Sequence, residues 1–204
     1  MIAKEGYPFI IAAALLFVVV LLIPKIILIM ISLLLLAMML WFFRDPERIA
    51  PDDDSAIISA ADGKIVEISD ATIGGKKYKK ISVFMNLFSV HVNRAPYAGI
   101  ISRVNHIEGS FLPADKQEAS AENERNEIHI DTAKGKIIAV QVAGLVARRI
   151  VSYVEEGNGV SKGDRIGMIK FSSRVDHYLP ANTEIEVKLD DKVRAGESII
   201  ARFV

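Results

Sequence analysis

Val160-Ser161-Lys162-Gly163-Asp164-Arg165-Ile166-Gly167-Met168-Ile169-Lys170-Phe171-Ser172-Ser173 is the stretch whose reading fixes the fold class. Its Lys162-Gly163-Asp164 step has turn chemistry, because glycine accepts positive φ and aspartate bonds its own backbone. Residues 165–171 are then mostly apolar, as a strand facing a core is, and they run directly into a serine pair. The same order of residue types (apolar, basic, glycine, acidic, apolar run) returns at residues 193–201. Turn–strand units of this kind build small β-sandwiches, including those that carry lipoyl or biotinyl groups. No turn here presents the apolar-flanked lysine such carriers use, so the theme speaks to fold more than to function.

Outward from this stretch, short alternating or β-branched runs occupy residues 64–69, 79–85, 127–130, 137–142, 150–154, 183–189 and 198–203. Turns at Asp62-Gly63, Gly74-Gly75, Lys134-Gly135, Gly157-Asn158-Gly159 and Ala195-Gly196-Glu197 punctuate them. Many short strands at this spacing predict a mainly β (α+β) protein: a β-sandwich or partly open barrel, not a βαβ sheet. One brief helix is expected near residues 143–149.

The N-terminus is of another kind. Between residues 9 and 43 the only charge is Lys25, and apolar runs at 9–23 and 26–43 flank a Pro24-Lys25 break. A bilayer span needs about 20 apolar residues. A hydrophobic helical hairpin with Pro24-Lys25 at its tip puts Lys4 at one base and Arg44 and Arg48 at the other. Both bases then face the cytoplasm. A shallow in-plane anchor is the alternative. A cleaved signal peptide does not fit, since Arg44-Asp45-Pro46-Glu47-Arg48 follows the apolar run where a small-residue exit site is needed. The expected domains are residues 1–50, membrane-associated, and residues 51–204, catalytic, beginning at the acidic Pro51-Asp52-Asp53-Asp54 linker. The expected location is the cytoplasmic face of the cell membrane.

Composition narrows the chemistry. The 25 basic and 25 acidic residues cancel, and a pI near 6.9 argues against a nucleic-acid partner. No cysteine is present, which removes disulfides, thiolate catalysis and Cys-ligated zinc. His106, His129 and His177 have no metal-site spacing, so no metal is expected. A serine behind a small residue can attack the preceding carbonyl and become a cofactor, which makes Ser173 the leading candidate, although Ser-Ser more often marks a turn. In residues 84–96, His91, Asn93 and Arg94 fall near the end of a strand that leads to Pro96. His91 suits proton transfer, and Arg94 suits a phosphate. Asp62 before Gly63 is ordinary turn chemistry. Asn123-Glu124-Arg125-Asn126 reads as a solvated loop, and Arg148-Arg149 as a surface pair.

Together these blocks closely resemble the short-type phosphatidylserine (or archaetidylserine) decarboxylases. The matching pieces are Phe42-Phe43-Arg44-Asp45-Pro46, Ala61-Asp62-Gly63, the Phe88 to Pro96 block and Asn123 to Asn126. Gln141-Val142-Ala143-Gly144, Ala147-Arg148-Arg149-Ile150-Val151 and Gly167-Met168-Ile169-Lys170-Phe171, leading into Ser172 and on to Pro180, complete the order.

The resemblance implies a proenzyme that splits itself between Ser172 and Ser173, giving a β chain of residues 1–172 and an α chain of residues 173–204. Ser173 then becomes a covalent pyruvoyl group, which replaces pyridoxal phosphate as the electron sink and forms a Schiff base with the headgroup amine of a serine phospholipid. The product is phosphatidylethanolamine and CO₂. The family usually has glycine where Ser172 stands, whereas pyruvoyl histidine decarboxylases split a Ser-Ser bond. Asp62 matches a residue that helps activate the serine. Long-type relatives carry two histidines three apart; here His91 matches the one tied to decarboxylation and Arg94 stands in place of the other. Asn93 and Arg94 are the expected substrate contacts. The α and β chains are expected to stay together, in a homo-oligomer. Diacyl and archaeal ether lipids share this headgroup chemistry and both stay open. The alternatives are an uncleaved, inactive homologue and a membrane-tethered β-sandwich adaptor or carrier.

Overall fold

The computed structural model describes residues 1–110, 112, 122–144, 149–170 and 173–204. The chain divides into two compact units, Met1–Glu47 and Arg48–Val204.

The first unit is a helical hairpin, α1 (Tyr7–Leu21) and α2 (Ile26–Phe42). The Phe9 and Phe43 rings stack with centroids 5.3 Å apart, so the start of α1 meets the end of α2. Ala3 N donates to Phe43 O at 2.8 Å, and Asp45 N donates to Met1 O at 2.8 Å. Leu15, Val18, Ile27, Leu34 and many like them are exposed on every side of the pair. Helices apolar all round and uncovered are suited to lipid, where each backbone group is satisfied within its own helix. The sequence makes the second run the longer one. In the structure a preceding turn of 3₁₀ helix extends α1, and Lys4–Leu21, 18 residues, is the helix long and apolar enough to cross a membrane.

The second unit is mainly β. One sheet has eight strands in the order β13-β2-β3-β11-β7-β6-β5-β9. These are β2 (Gly63–Ile73), β3 (Lys76–Met85), β5 (Gly99–Ile107), β6 (Arg125–Thr132), β7 (Gly135–Ala143), β9 (Gly159–Val160), β11 (Ser173–Pro180) and β13 (Lys192–Val193). All the pairings are antiparallel, and the sheet curls into a half-barrel. Two three-stranded sheets complete the unit. The first is β1 (Ala56–Ile58), β14 (Ile199–Phe203) and β12 (Thr183–Ile185); the second is β4 (Val92–Arg94), β10 (Arg165–Ile169) and β8 (Ile150–Ser152).

Period-two patterning builds the core. Ile81, Val83 and Met85 of β3 and Val175 and Leu179 of β11 share one face, packed with Ile57, Ile169, Ile200 and Phe203 from the small sheets. Further along, Ile101, Ile128, Ile130 and Ala139 meet Ile166 of β10. The opposite face carries Tyr78, Ile138, Val140 and Val142, with Tyr178 beside them.

The sandwich or partly open barrel expected from the turns is what forms, with two differences. The runs at 150–154 and 183–189 give strands of only three residues. Ala143, assigned to a helix, ends β7 instead, and residues 145–148 of that expected helix lie outside the described residues.

Candidate active site

Ser173 is the first residue of β11 and is wholly buried. Across the sheet it pairs with Met85 of β3 on one side and Ala143 of β7 on the other. Its hydroxyl donates to Met85 Sδ at 3.3 Å. A thioether is a weak acceptor, so the hydroxyl is held in place without a strong bond to break before it reacts. Ser172, the other half of the expected cleavage site, lies outside the described residues, as does Arg148.

Asn93 reaches the same sulfur. It lies in β4, buried, with Nδ2 3.7 Å from Met85 Sδ and Oδ1 accepting Gln141 Nε2 at 2.8 Å. His91 is buried just before β4. Its Nδ1 lies 2.9 Å from Ser89 O, so a neutral ring donates there and keeps its lone pair on Nε2. Its carbonyl accepts Ile169 N at 3.3 Å, which sets His91 beside the end of β10, the strand that leads toward Ser173.

Asp62 stands just before β2, at the Met85 end of the β2–β3 pair and two strands from Ser173. Arg48 Nη2 grips its two oxygens at 3.3 and 3.0 Å, and Ala195 N donates to Oδ1 at 2.7 Å. Arg48 also binds Glu197 at 2.9 Å. The carboxylate is thus fixed in a turn by an arginine and a backbone N–H, and no hydrogen bond joins it to Ser173 among the described residues.

Arg94 is buried, donating Nη1 to Gly163 O at 2.9 Å. A Cβ on Gly196, whose φ is +80°, would stand 2.7 Å from Arg94 Cδ. The Gly163 and Gly196 turns therefore wall the arginine in. The sequence read both Arg94 and Asn93 as groups near a strand end; the structure makes them interior residues, and Asn93 shares the Met85 sulfur with Ser173.

Two groups of residues escaped the sequence. Asn123-Glu124-Arg125-Asn126 is no solvated loop: Asn123 and Asn126 are buried, Asn123 Nδ2 donating to Ala143 O at 2.7 Å and Asn126 Nδ2 to Gln141 Oε1 at 3.0 Å. On the other face of β11, Arg174 Nε donates to Asp176 Oδ1 at 2.6 Å, and its Nη2 binds Glu67 and Ser82. Lys80 Nζ donates to Glu67 at 3.0 Å. Burial drives the Glu67 carboxyl up, but bonds from Lys80 and Ser69 and the Arg174 charge outweigh it and hold it below its usual value. Among the described residues no group of three or more acidic or histidine side chains is placed to hold a metal.

The site thus has a buried hydroxyl at the head of a strand, resting on a thioether that a buried carboxamide also touches. The family model for phosphatidylserine decarboxylase matches residues 35–201. The phosphatidylserine decarboxylase proenzyme of Desulfotalea psychrophila is 49% identical over 100% of this chain and 97% of its own. That of Syntrophus aciditrophicus is 42% identical over 99% of this chain and 97% of its own. The chain belongs to the phosphatidylserine decarboxylase family and is a carboxy-lyase.

Proposed function

We propose that this chain is a self-cleaving proenzyme that decarboxylates the serine headgroup of a membrane phospholipid to the ethanolamine lipid. The observation that carries the reading is the seat of Ser173: wholly buried, at the head of β11, its hydroxyl resting on a thioether. Family membership supports it.

The Ser173 hydroxyl attacks the carbonyl carbon of residue 172. The C–N bond breaks, an ester forms, and the hydroxyl proton passes to the nitrogen. Loss of the Cα proton expels the β-chain carboxylate and leaves dehydroalanine, and one water then replaces ammonia to give a ketone. The surroundings fit such a group. Met85 and Ala143 flank the position on the neighbouring strands, and Asn93 brings one amide donor to the sulfur beside it. A pyruvoyl group there supplies an electrophilic carbonyl and an electron sink, the chemistry a decarboxylase needs.

Other residues hold and move protons around it. Asp62, paired with Arg48, serves cleavage from its turn. His91, with its lone pair on Nε2, is the proton donor or positioning group of turnover once it has taken up a proton. Asn93 and Arg94 are the residues assigned to the headgroup. The apolar hairpin anchors the enzyme at the cytoplasmic face of the cell membrane, where its lipid substrate is.

Denaturing mass spectrometry of the purified full chain tests the reading. Fragments of residues 1–172 and 173–204, the smaller lacking a free α-amino group at its N-terminus, are expected together with CO₂ release from serine-phospholipid vesicles. One intact chain without turnover would favour an uncleaved homologue. Restoring glycine at position 172 then separates an inactive enzyme, which regains cleavage, from an adaptor, which does not.

A further inference from the structure

Behind Ser173 a line of three side-chain amides runs inward from the sheet. Asn126 of β6 donates Nδ2 to Gln141 Oε1 of β7 at 3.0 Å, and Gln141 donates Nε2 to Asn93 Oδ1 of β4 at 2.8 Å. Asn93 turns its Nδ2 to Met85 Sδ at 3.7 Å, the atom that also receives the Ser173 hydroxyl at 3.3 Å. All three amides are exposed by 2% or less, so water does not compete for their bonds.

A carboxamide has a donor end and an acceptor end, and each neighbour in the line dictates which way the next one points. Because Asn126 offers N–H₂ to Gln141 Oε1, Gln141 offers its own N–H₂ to Asn93 Oδ1. Asn93 is thereby left with its donor end on Met85 Sδ, the atom that also holds the Ser173 hydroxyl. Backbone packing holds the middle of the line. A Cβ on Gly167 would stand 2.7 Å from Gln141 Nε2 and 2.5 Å from Val151 O, so this glycine lets β10 press directly on the Gln141 amide.

We propose that Asn126 and Gln141 are positioning residues that fix the polarity of Asn93, so that an N–H₂ and not a lone pair faces Ser173 during backbone cleavage. The proposal rests on the reading of Ser173 as the self-cleaving residue. In that step the Oγ–C bond forms, the C–N bond breaks and the hydroxyl proton ends on the released nitrogen. Negative charge builds on oxygen before it is neutralised. A donor aimed at that charge is worth about 10²- to 10³-fold in rate, whereas the reversed amide would oppose it.

The test times chain splitting by denaturing gel and intact mass during cell-free synthesis of the full chain. In Gln141→Glu the ionised side chain only accepts, from Asn126 on one side and Asn93 on the other, which turns Asn93 around. Splitting is expected to slow at least about tenfold near pH 8. It recovers as the pH falls toward about 5.5, because burial raises the carboxyl pKa and the protonated acid regains a donor for Asn93. Asn126→Asp reverses the line from its far end, without touching Asn93, and is expected to show the same pH-rescued defect. Gln141→Met removes the line without reversing it and is expected to fall between wild type and Gln141→Glu near pH 8.

A packing role alone predicts defects that follow melting temperature and do not recover in acid. Wild-type splitting in both acidic variants near pH 8 overturns the proposal, as do pH-independent defects or Gln141→Met slower than Gln141→Glu. Should Gln141→Glu fail to fold, Asn126→Asp and Gln141→Met decide the matter. Ser173→Ala is the control. If it still splits, the reading of Ser173 fails too; if it alone stays whole, only the amide line is refuted.

Discussion

His177 Nε2 accepts the backbone N–H of Ala60 at 2.8 Å while its Nδ1 donates to Ile81 O at 3.1 Å. One buried ring thus ties β11 and β3 to the segment that leads into Asp62. The bond from Ala60 needs the neutral ring, and burial lowers its pKa from 6.5 to about 4.

The consequence is a defined acid sensitivity. In this range the unfolded chain binds the proton more readily than the folded one, so stability falls as pH falls. The contribution of His177 is whole above about pH 6.5 and is lost on the way to about pH 4, amounting to roughly 3 kcal/mol. Denaturant unfolding across that range should show the slope. His177→Leu, already weaker at neutral pH for want of two bonds, should show a smaller one.

Ser173→Ala is expected to leave the chain whole and reduce CO₂ release from a serine phospholipid to background. Stability should change by less than about 1 kcal/mol, since only a bond to a thioether is lost. Full activity in this variant would refute the pyruvoyl role.

Asp62→Asn separates a turn former from a participant in cleavage. The amide oxygen still accepts Ala195 N–H, so the turn is expected to persist. Loss of the charge is expected to slow splitting by about 10²-fold or more, read by pulse-chase gel. Normal splitting would return Asp62 to a structural role with Arg48.

His91→Ala is expected to process into two chains by mass spectrometry and then fail in turnover. Blocked processing would move the histidine into the cleavage machinery instead.

Asp176→Leu removes one of the two carboxylates that hold the buried Arg174 guanidinium and leaves Glu67 as the other. A cost of about 3 kcal/mol is expected in urea unfolding, because a buried charge loses part of its counter-charge. A change under about 1 kcal/mol would mean that Glu67 and Ser82 suffice.

Much of the fold was legible because apolar residues at period two mark a half-buried strand whatever they pack against. Residues 79–85 and 137–142 read correctly on that ground. β11 itself was not among the expected strands, since Arg174, Asp176 and His177 break the apolar alternation. Their burial makes sense only once Glu67, Ser82, Lys80 and Ala60 are brought to them from other strands. The same holds at the site. Ser173, His91 and Asn93 stood out as chemical types in a recognisable order, but Gln141 and Asn126 drew notice only as parts of matching blocks.

The sequence by itself set the local terms: two apolar runs broken at Pro24-Lys25, strands cut by glycine turns, and a serine pair after one of them. These depend on neighbours along the chain. Tertiary structure alone decided which polar residues are interior, which way each amide points and where a histidine loses its proton. Those properties arise from desolvation and from partners tens of residues distant, and no local pattern encodes them.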